Sequence, residues 1–317
     1  MGKATALHLL EEGVDVAVFN RSVEKVFELD KEVRKLANQS SGELIKTSNL
    51  KELIENLDTP RIIILMVTQG APVDEMITGL LGAGLSADDI IIDAGNSFYK
   101  DSIARSEKLK KQEINFLDVG TSGGIEGARK GACLMIGGDE KIYRKIEPFL
   151  KTMAGKVGSY EYLGASGAGH FVKMVHNGVE YGMLQSLGEG FEILSKSPYK
   201  LDFQKIARSW SRGSVVRGWL VELLDKAFQD DPKLENIEGI IGGGTTGRWT
   251  KETARELGVS IPAIDAALNA REKSKIEPTF AGKIISALRN QFGQHTMVEK
   301  QITKNKFFVI CYLLSVI

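Results

Sequence analysis

Five polar side chains are spaced along one stretch of this sequence so that a helix would bring them together. At positions i, i+3, i+4, i+7 and i+8 stand Lys173, His176, Asn177, Glu180 and Tyr181. These positions share one side of an α-helix, where a globular protein ordinarily places its buried apolar stripe. Burying such groups without partners would cost roughly 1–3 kcal/mol for each. A cleft that receives a polar ligand is therefore favoured over a solvated helix face.

The other residues of this stretch are small or apolar, and we expect them to be buried. They are Val172, Val175, Gly178, Val179, Met183 and Leu184. If these residues pack into the protein, the polar face is left for a ligand.

The composition argues against several classes of protein. The 317 residues include 41 acidic and 41 basic side chains, so no net charge favours nucleic acid or a membrane surface as a partner. Cys133 and Cys311 are far apart and form no Cys-x-x-Cys pair, which fits a reducing cytoplasm and argues against a disulfide scaffold or a zinc site. The chain does not open with a basic and then apolar segment, so we expect no secretory signal.

The first half of the sequence alternates between helical and strand patterns, which predicts a parallel sheet. A helix is expected from Thr5 to Glu12 and a strand from Val14 to Phe19. Unbroken apolar runs predict further strands that are covered on both faces, at residues 62–67, 90–93 and 115–119. In such sheets ligands bind beyond the carboxyl ends of the strands. The polar turns that follow these strands are therefore candidate ligand sites.

From about Ser166 the strand patterns end and helical periodicity continues. Helices are expected over residues 171–196, 203–209, 216–228, 250–257, 263–273 and 280–291. We therefore predict an α/β Rossmann-type domain over residues 1–163, followed by an all-α substrate and dimerisation domain over residues 164–299.

Both ends of the chain are unusual for this fold. Met1 and Gly2, followed at once by a helix, resemble the end of a Gly-x-Gly-x-x-Gly loop whose strand would lie about ten residues upstream. We therefore expect the first Rossmann strand to be absent. Met1 is either an internal methionine read as a start or the start of a truncated paralogue. We favour the first because the rest of the sequence reads as intact.

The tail, residues 300–317, ends in an apolar run shorter than the ~17–25 residues of a membrane span, and we assign it no function.

Five motifs in order along the chain resemble those of decarboxylating 6-phosphogluconate dehydrogenases, and the shorter, bacterial-type branch is the best match. The motifs are Phe19–Ser22, Ile92–Ser97 (with Ala94 where glycine is common), Thr121–Arg129, His170–Tyr181 and Arg289–His295. The fourth matches the catalytic helix of the family nearly letter for letter. The resemblance covers about residues 1–295, and any one of these motifs alone would be a weak signal.

The resemblance implies a dinucleotide site at the strand ends. Its residues would be Gly2, Asn20, Arg21, Ser22, Met66, Val67, Thr68 and Asn96. Arg21 stands where an acidic residue would otherwise bind the ribose hydroxyls, and a guanidinium there suits the 2′-phosphate of NADP. NAD is the alternative cofactor, because position alone is equally compatible with a surface arginine.

The resemblance also implies the catalytic and substrate-binding residues. Lys173 would be the base that takes the proton from the 3-hydroxyl of the substrate, and Glu180 the acid that protonates C1 after CO2 leaves. His176 and Asn177 would hold the substrate hydroxyls and carboxylate. The other substrate ligands would be Asn96, Ser122, Gly123, Gly124, Tyr181, Thr246, Arg271, Arg289 and His295. No metal is implied, since the keto group formed by hydride transfer is itself the electron sink.

The chain departs from the larger members of the family in its phosphate ligands. Those members carry a lysine near the position of Gly244, which this sequence lacks, and the departure concerns affinity for 6-phosphogluconate more than the type of reaction. In the larger members the Arg–His segment comes from the neighbouring subunit. The resemblance therefore implies a homodimer or a higher homo-oligomer.

The implied activity is the oxidative decarboxylation of 6-phosphogluconate to ribulose 5-phosphate and CO2, in the cytoplasmic pentose phosphate pathway or in gluconate utilization. A β-hydroxyacid dehydrogenase acting on an unphosphorylated substrate is one alternative, and it would not require Arg289 and His295. A truncated paralogue that binds ligands without catalysis is the other.

Overall fold

The computed structural model describes residues 1–35, 42–295 and 297–298. The apolar tail (300–317) and Cys311 lie outside the described residues. The strands are β1 Val16–Val18, β2 Leu44–Lys46, β3 Ile62–Leu65, β4 Ile90–Asp93, β5 Asn115–Ser122, β6 Cys133–Gly138 and β7 Ser159–Gly164. The helices that alternate with them are α1 Gly2–Glu11, α2 Val23–Lys35, α3 Leu50–Glu55, α4 Ala71–Ala83, α5 Tyr99–Lys110, α6 Gly124–Lys130 and α7 Glu140–Ala154.

After β7, every regular element of the described chain is a helix. These helices are α8 Ala168–Ser195, α9 Phe203–Trp210, α10 Trp219–Asp230, α11 Thr245–Glu256, α12 Pro262–Lys273 and α13 Phe280–Gly293. The predicted fold class, a Rossmann-type α/β region followed by an all-helical one, is confirmed.

The described strands form two sheets. β1 and β2 pair in parallel, and the second sheet has the order β3-β4-β5-β6-β7, in which the β5–β6 pair is antiparallel and the others are parallel. A Rossmann sheet holds its first strand beside β1 and β3. Two separate sheets are the arrangement expected when that first strand is not among the described ones.

The larger sheet is covered by apolar side chains on both faces. Ile90 and Ile92 of β4 face a cluster that includes Leu117, Leu150 of α7 and Leu9 of α1. Ile91 points to the other side, into a cluster built with residues of α3, α4 and α5. Side chains of successive strand residues alternate between the faces, so only an unbroken apolar run can serve both clusters. This confirms the strands predicted at 62–67, 90–93 and 115–119.

Packing divides the chain into two compact units. The first contains residues 1–186, 243–270 and 292–294, and the second contains residues 187–242, 271–291 and the described residues from 295. Phe191, Phe203 and Phe228 form the aromatic centre of the second unit, with ring centroids 5.4 to 6.1 Å apart. The domain boundary at residues 163 and 164 follows the change from strand to helix, and it stays a prediction.

Helix α8 is anchored on β5 within the first unit. The buried carboxylate of Asp118 accepts hydrogen bonds from the backbone N–H groups of Gly167 (2.7 Å) and His170 (2.9 Å). Gly167 directly precedes the helix and His170 lies in its first turn, where backbone N–H groups have no partner within the helix itself. A carboxylate at this position satisfies them and interacts favourably with the helix dipole.

Glycine permits close contact between α8 and β5. A methyl group at position 120 would overlap Cβ of Lys173 and lie 2.9 Å from the carbonyl oxygen of Gly169. Because both neighbours are near the helix backbone, they cannot swing aside as the end of a flexible side chain would. Gly120 therefore fixes how closely Lys173 lies against the sheet.

The apolar residues of α8 do not all face the core, and this part of the sequence-based expectation is wrong. Gly178 and Leu184 are buried, but four others are exposed by 37% to 52%: Val172, Val175, Val179 and Met183. The side toward the protein is already occupied, because Gly178 packs against Thr250 and Ile264. The helix therefore has a buried side, a polar side and an open apolar stripe.

We predict that Gly120→Ala destabilises the protein by about 1–3 kcal/mol, because an overpacked methyl displaces α8 from β5. Gly82→Ala is the matched control, since a Cβ at this position on α4 meets nothing within 4 Å and alanine stabilises a helix interior by about 0.5–1 kcal/mol. Urea unfolding of the two variants measures the difference. Equal stabilities would contradict the close contact between Gly120 and Lys173.

Candidate active site

Four predicted site residues form one hydrogen-bonded chain with Lys173. Nζ of Lys173 lies 3.4 Å from Nδ1 of His176, whose Nε2 lies 3.1 Å from the hydroxyl of Ser122. Nδ1 of His176 also lies 3.2 Å from Oδ1 of Asn177. The amide nitrogen of Asn177 donates to Oδ1 of Asn96 over 3.2 Å. Residues from β5, the turn after β4 and α8 therefore meet at one place.

Burial changes the protonation of this group. Lys173 is 9% exposed, and the loss of solvent lowers its pKa to about 8, although the negative charge of Glu180 acts in the opposite direction. Burial and the charge of Lys173 also lower the pKa of His176. A neutral amine is a proton acceptor, so Lys173 is suited to general base chemistry near neutral pH. Glu180 is half-buried on the next turn of α8.

A buried carboxylate shapes the turn that carries Asn96. Asp93 ends β4 and accepts hydrogen bonds from the hydroxyl of Ser97 (2.7 Å) and from the N–H of Gly95 (3.2 Å). Asn96, between these two donors, is exposed at the carboxyl end of the strand. Its backbone is thus held on both sides while its amide is free to meet a ligand as well as Asn177.

The loop after β5 depends on two glycines. Gly123 and Gly124 have φ angles of +115° and +61°, which residues with a Cβ rarely adopt. They follow Ser122, and Gly123 is the N-cap of α6. The loop places the half-buried Ser122 before backbone that is closely packed, since a Cβ at Gly124 would overlap the carbonyl oxygen of Phe292.

Several of the predicted cofactor residues line one pocket of the first unit. Its lining consists of Phe19, Arg21, Leu50, Val67, Thr68, Pro72, Glu75 and Met76. Oδ1 of Asn20 accepts a hydrogen bond from the N–H of Ser22 over 2.9 Å and so closes the turn that carries Arg21. The lining thus combines apolar side chains with the guanidinium of Arg21, the carboxylate of Glu75 and the hydroxyl of Thr68. Met66 lies beside this pocket rather than in its lining, and it contacts Gly2 at the start of α1.

Tyr181 and Thr246 form a separate pair in the first unit. Their hydroxyl oxygens are 3.2 Å apart, and the ring of Tyr181 packs against Ala267 and Leu268. Thr246 lies in the first turn of α11. Both residues are buried.

Three predicted phosphate ligands lie together in the second unit. Arg271 and Arg289 are buried, and the pKa of His295 is lowered first by its own partial burial and then by the positive charges of Arg289 and Arg271. Each guanidinium thus acts on the imidazole over a short range. Three groups able to carry positive charge at one place favour a bound anion such as a phosphate.

Several residues that build the site were not identified from the sequence. Asp118 anchors α8, and His170 Nδ1 lies 2.7 Å from the hydroxyl of Ser102 on α5. A charged residue inside an otherwise apolar strand was a usable signal for Asp118. Among the described residues, no group of three or more His, Cys, Asp or Glu side chains could hold a metal ion. Of the described helices, none is long and apolar enough to cross a membrane.

Comparison with known proteins gives matches over most of the chain. The family model for the NAD binding domain of 6-phosphogluconate dehydrogenase matches residues 1–164, and the model for the C-terminal domain of 6-phosphogluconate dehydrogenase matches residues 169–279. The two models thus cover the α/β region and most of the helical region.

Curated relatives and a solved structure agree with these matches. A putative 6-phosphogluconate dehydrogenase of Bacillus subtilis is 47% identical over 80% of this chain and 84% of its own length. The NAD(+)-dependent, decarboxylating 6-phosphogluconate dehydrogenase of Haloferax volcanii is 35% identical over 95% of this chain and 96% of its own. The structure of Plasmodium falciparum 6-phosphogluconate dehydrogenase superposes with a TM-score of 0.78 at 33% identity, over 87% of this chain and 60% of that longer protein. The chain belongs to the 6-phosphogluconate dehydrogenase family and is an oxidoreductase.

Proposed function

We propose that this protein catalyses the oxidative decarboxylation of 6-phosphogluconate to ribulose 5-phosphate and CO2, with NADP as the hydride acceptor. The observation that carries the proposal is the buried amine of Lys173 within hydrogen-bonding range of His176, in a group that also contains Asn177, Ser122 and Asn96. The Plasmodium relative is described with NADP+ and with 6-phosphogluconate, which supports the same pair of ligands here.

The side chains of the site supply the acid–base chemistry. Bound NADP would accept the hydride from C3 of the substrate. Neutral Lys173 takes the proton of the 3-hydroxyl, and its lowered pKa makes this possible near neutral pH. As CO2 leaves, the Lys173 ammonium returns this proton to the oxygen on C3, which gives the enediol. Glu180, about two turns further along α8, then donates a proton to the enediol carbon that was C2 of the substrate and becomes C1 of ribulose 5-phosphate, and Lys173 takes back the enediol proton. His176, Asn177, Ser122, Gly123, Gly124 and Asn96 hold the hydroxyls and the carboxylate.

Each of the two compact units has its own candidates for binding a phosphate. In the first unit, Tyr181 and Thr246 offer paired hydroxyls. In the second unit, Arg271, Arg289 and His295 can carry positive charge, and a phosphate next to His295 would raise its lowered pKa again. This set of ligands distinguishes the proposal from a dehydrogenase that acts on an unphosphorylated hydroxy acid.

The pocket that contains Arg21 supports a dinucleotide with a 2′-phosphate. Its guanidinium can bind the phosphate by charge-assisted hydrogen bonds, and Thr68, Val67 and the neighbouring Met66 border the rest of the cofactor. Asn20, Ser22, Gly2 and Asn96 complete the proposed set. NADP is therefore favoured over NAD.

We place this reaction in the cytoplasm, in the pentose phosphate pathway or in gluconate utilization. Support comes from the two distant cysteines of the sequence, which suit a reducing compartment, and from the substrate itself.

The proposed reaction is tested by incubating the purified protein with NADP and 6-phosphogluconate. One CO2 is expected for each NADPH formed, with much slower turnover of 3-hydroxyisobutyrate. Lys173→Met should lower kcat about 100-fold or more, because positioned general bases contribute at least that much. Lys156→Met removes the same charge from an exposed loop and should leave kcat unchanged. Turnover of 3-hydroxyisobutyrate alone, or full activity of Lys173→Met, would overturn the proposal.

We predict that Lys173 titrates near pH 8 and that kcat/KM rises through this pH to a plateau above it. The sign follows because burial lowers the pKa and the neutral amine is the active base. NMR of lysine labelled with carbon-13 at Cε, assigned with Lys173→Met, measures the titration directly. Glu180→Gln should lower the pKa further, since the charge of Glu180 raises it. A Lys173 pKa near that of a solvated lysine would refute the assignment.

We predict that Arg21→Ala weakens NADP binding about 10- to 100-fold and NAD binding much less. A charge-assisted hydrogen bond contributes about 1.5–3 kcal/mol, and this arginine is proposed to bind the phosphate that NAD lacks. Fluorescence titration of each dinucleotide gives the two dissociation constants. Arg34→Ala on α2 is the matched control, because it removes the same charge outside the pocket lining. Equal losses for NADP and NAD would exclude a 2′-phosphate role for Arg21.

We propose further that two copies of the chain associate through the open apolar stripe of α8. Val172, Val175, Val179 and Met183 recur at helical spacing and carry no charge, and an exposed apolar stripe of this kind marks an interface. A helix stripe can pack against its own copy about a two-fold axis.

Val179→Glu is expected to shift the protein from dimer to monomer, because a charge would be buried at the centre of the stripe. Sedimentation velocity measures the change. Val157→Glu introduces the same charge at a valine that is 77% exposed elsewhere and should remain dimeric. A monomeric wild type, or a Val179→Glu protein that is still dimeric, would argue against this interface.

A further inference from the structure

Arg105 of α5 contacts two segments of the proposed site, the start of α4 beside the dinucleotide pocket and the turn that carries Asn96. It is buried, with 5% of its surface exposed, yet its side chain reaches acidic groups on two other elements. Nε and Nη2 donate to the two carboxylate oxygens of Asp74 over 2.7 and 3.1 Å. Nη2 also donates to the carbonyl oxygen of Gly70 over 3.1 Å.

Both of these acceptors belong to the cofactor side of the site. Gly70 is the N-cap of α4 and Asp74 lies in the first turn of that helix. Val67 and Thr68, which line the proposed dinucleotide pocket, are separated from Gly70 by Gln69 alone. By holding Gly70 and Asp74, the guanidinium fixes the end of the segment that borders the cofactor.

The third contact reaches the substrate side. Nη1 of Arg105 lies 3.6 Å from Oδ2 of Asp93, the carboxylate that also accepts the hydroxyl of Ser97 and the N–H of Gly95. Asn96 lies between these two donors and hydrogen-bonds to Asn177 on α8. Asp93 is buried, and the guanidinium places a positive charge beside its carboxylate.

The two loops also meet directly. A Cβ at Gly95 would lie 3.2 Å from the carbonyl oxygen of Val67, and the N–H of Ala94 donates to the carbonyl of Leu65 over 2.9 Å. A small rotation of either loop is therefore transmitted to the other. The guanidinium donates hydrogen bonds to Asp74 and Gly70 through Nε and Nη2 and faces Asp93 with Nη1 as an ion pair, whereas a lysine ammonium would provide a single point charge.

We infer that Arg105 is a positioning residue that sets the substrate turn at Asn96 relative to the cofactor segment at Val67 and Thr68. The inference rests on the proposed function. If Arg105 has this role, the distance and angle between the substrate carbon that gives up the hydride and the cofactor that accepts it are kept constant, although different segments bind the two molecules. Hydride transfer is sensitive to misplacement, and an error of about 1 Å can cost on the order of 100-fold in rate.

The same two strands provide a matched control at their other ends. Arg61 directly precedes β3 and pairs with Asp89, which directly precedes β4, over 2.9 Å. Its Nε donates to the carbonyl of Ile54 over 3.1 Å. Arg61 thus links β3 and β4 at their amino ends. Arg105 links the segments that follow the same two strands at their carboxyl ends.

The test compares Arg105→Lys with Arg61→Lys in the full chain. We measure stability in urea, NADP affinity by fluorescence, kcat and both KM values, and the isotope effect with 6-phosphogluconate deuterated at C3. Both variants should lose stability. Arg105→Lys alone should lower kcat about 10-fold or more, weaken NADP binding several-fold and raise the isotope effect, because hydride transfer becomes slower relative to the other steps.

Arg105→Lys with wild-type kcat, NADP affinity and isotope effect would overturn the inference, as would equal losses in both variants. Should Arg105→Lys fail to fold, Asp74→Asn replaces it, since this carboxylate is 59% exposed and its loss leaves the arginine in place. Asp74→Asn should then weaken NADP binding and raise the isotope effect, and unchanged values would overturn the inference. A wild-type protein without activity on 6-phosphogluconate contradicts the proposed function itself, and the inference falls with it.

Discussion

The site depends on the carboxylate of Asp118, which holds the first turn of α8 against β5. Two backbone N–H groups that a helix cannot satisfy internally donate to this one side chain. Burial raises the pKa of Asp118, and the two hydrogen bonds and His170 act in the opposite direction. Because Lys173, His176 and Asn177 follow within two turns, the direction in which they point is set by this single anchor. Gly120 then determines how near the helix comes.

Close packing of α8 has a chemical consequence for Lys173. Its amine lies against the sheet with little access to water, and this lowers the pKa more than the charge of Glu180 raises it. A lysine on a solvated helix face would keep its proton at neutral pH and could not act as a base. The contact that constrains the fold is therefore the same contact that makes the amine reactive. Burial of this amine lowers the stability of the folded protein, because a buried ammonium without a close ion pair is unfavourable.

Much of this arrangement was predictable from local sequence patterns. The apolar runs of β3, β4 and β5, the positions of α8 to α13 and the placement of Lys173, His176 and Asn177 on one helix follow from periodicity. The assignment of these residues to a family followed from motifs in sequence order. The roles of the individual residues remain proposals that the experiments above address.

Other features depend on tertiary packing and were not accessible in this way. Periodicity cannot tell which apolar residues of a helix are covered, so Val172, Val175, Val179 and Met183 were expected inside and are outside. Arg105 looks like any charged residue of a surface helix until Asp74 and Asp93 are seen beside it. Strands β6 and β7, which extend the sheet beyond β5, are rich in glycine or polar residues and gave no clear signal.

The central claim is that the anchored polar face of α8 holds the sugar acid with its C3 hydroxyl at the side chain of residue 173. A crystal structure of the Lys173→Met protein soaked with 6-phosphogluconate tests it most directly, because the missing base should preserve the bound substrate. The account predicts density for the sugar acid along His176, Asn177, Ser122 and Asn96, with C3 facing position 173. Substrate bound elsewhere, or an α8 whose polar side chains contact only water in crystals saturated with substrate, would contradict it.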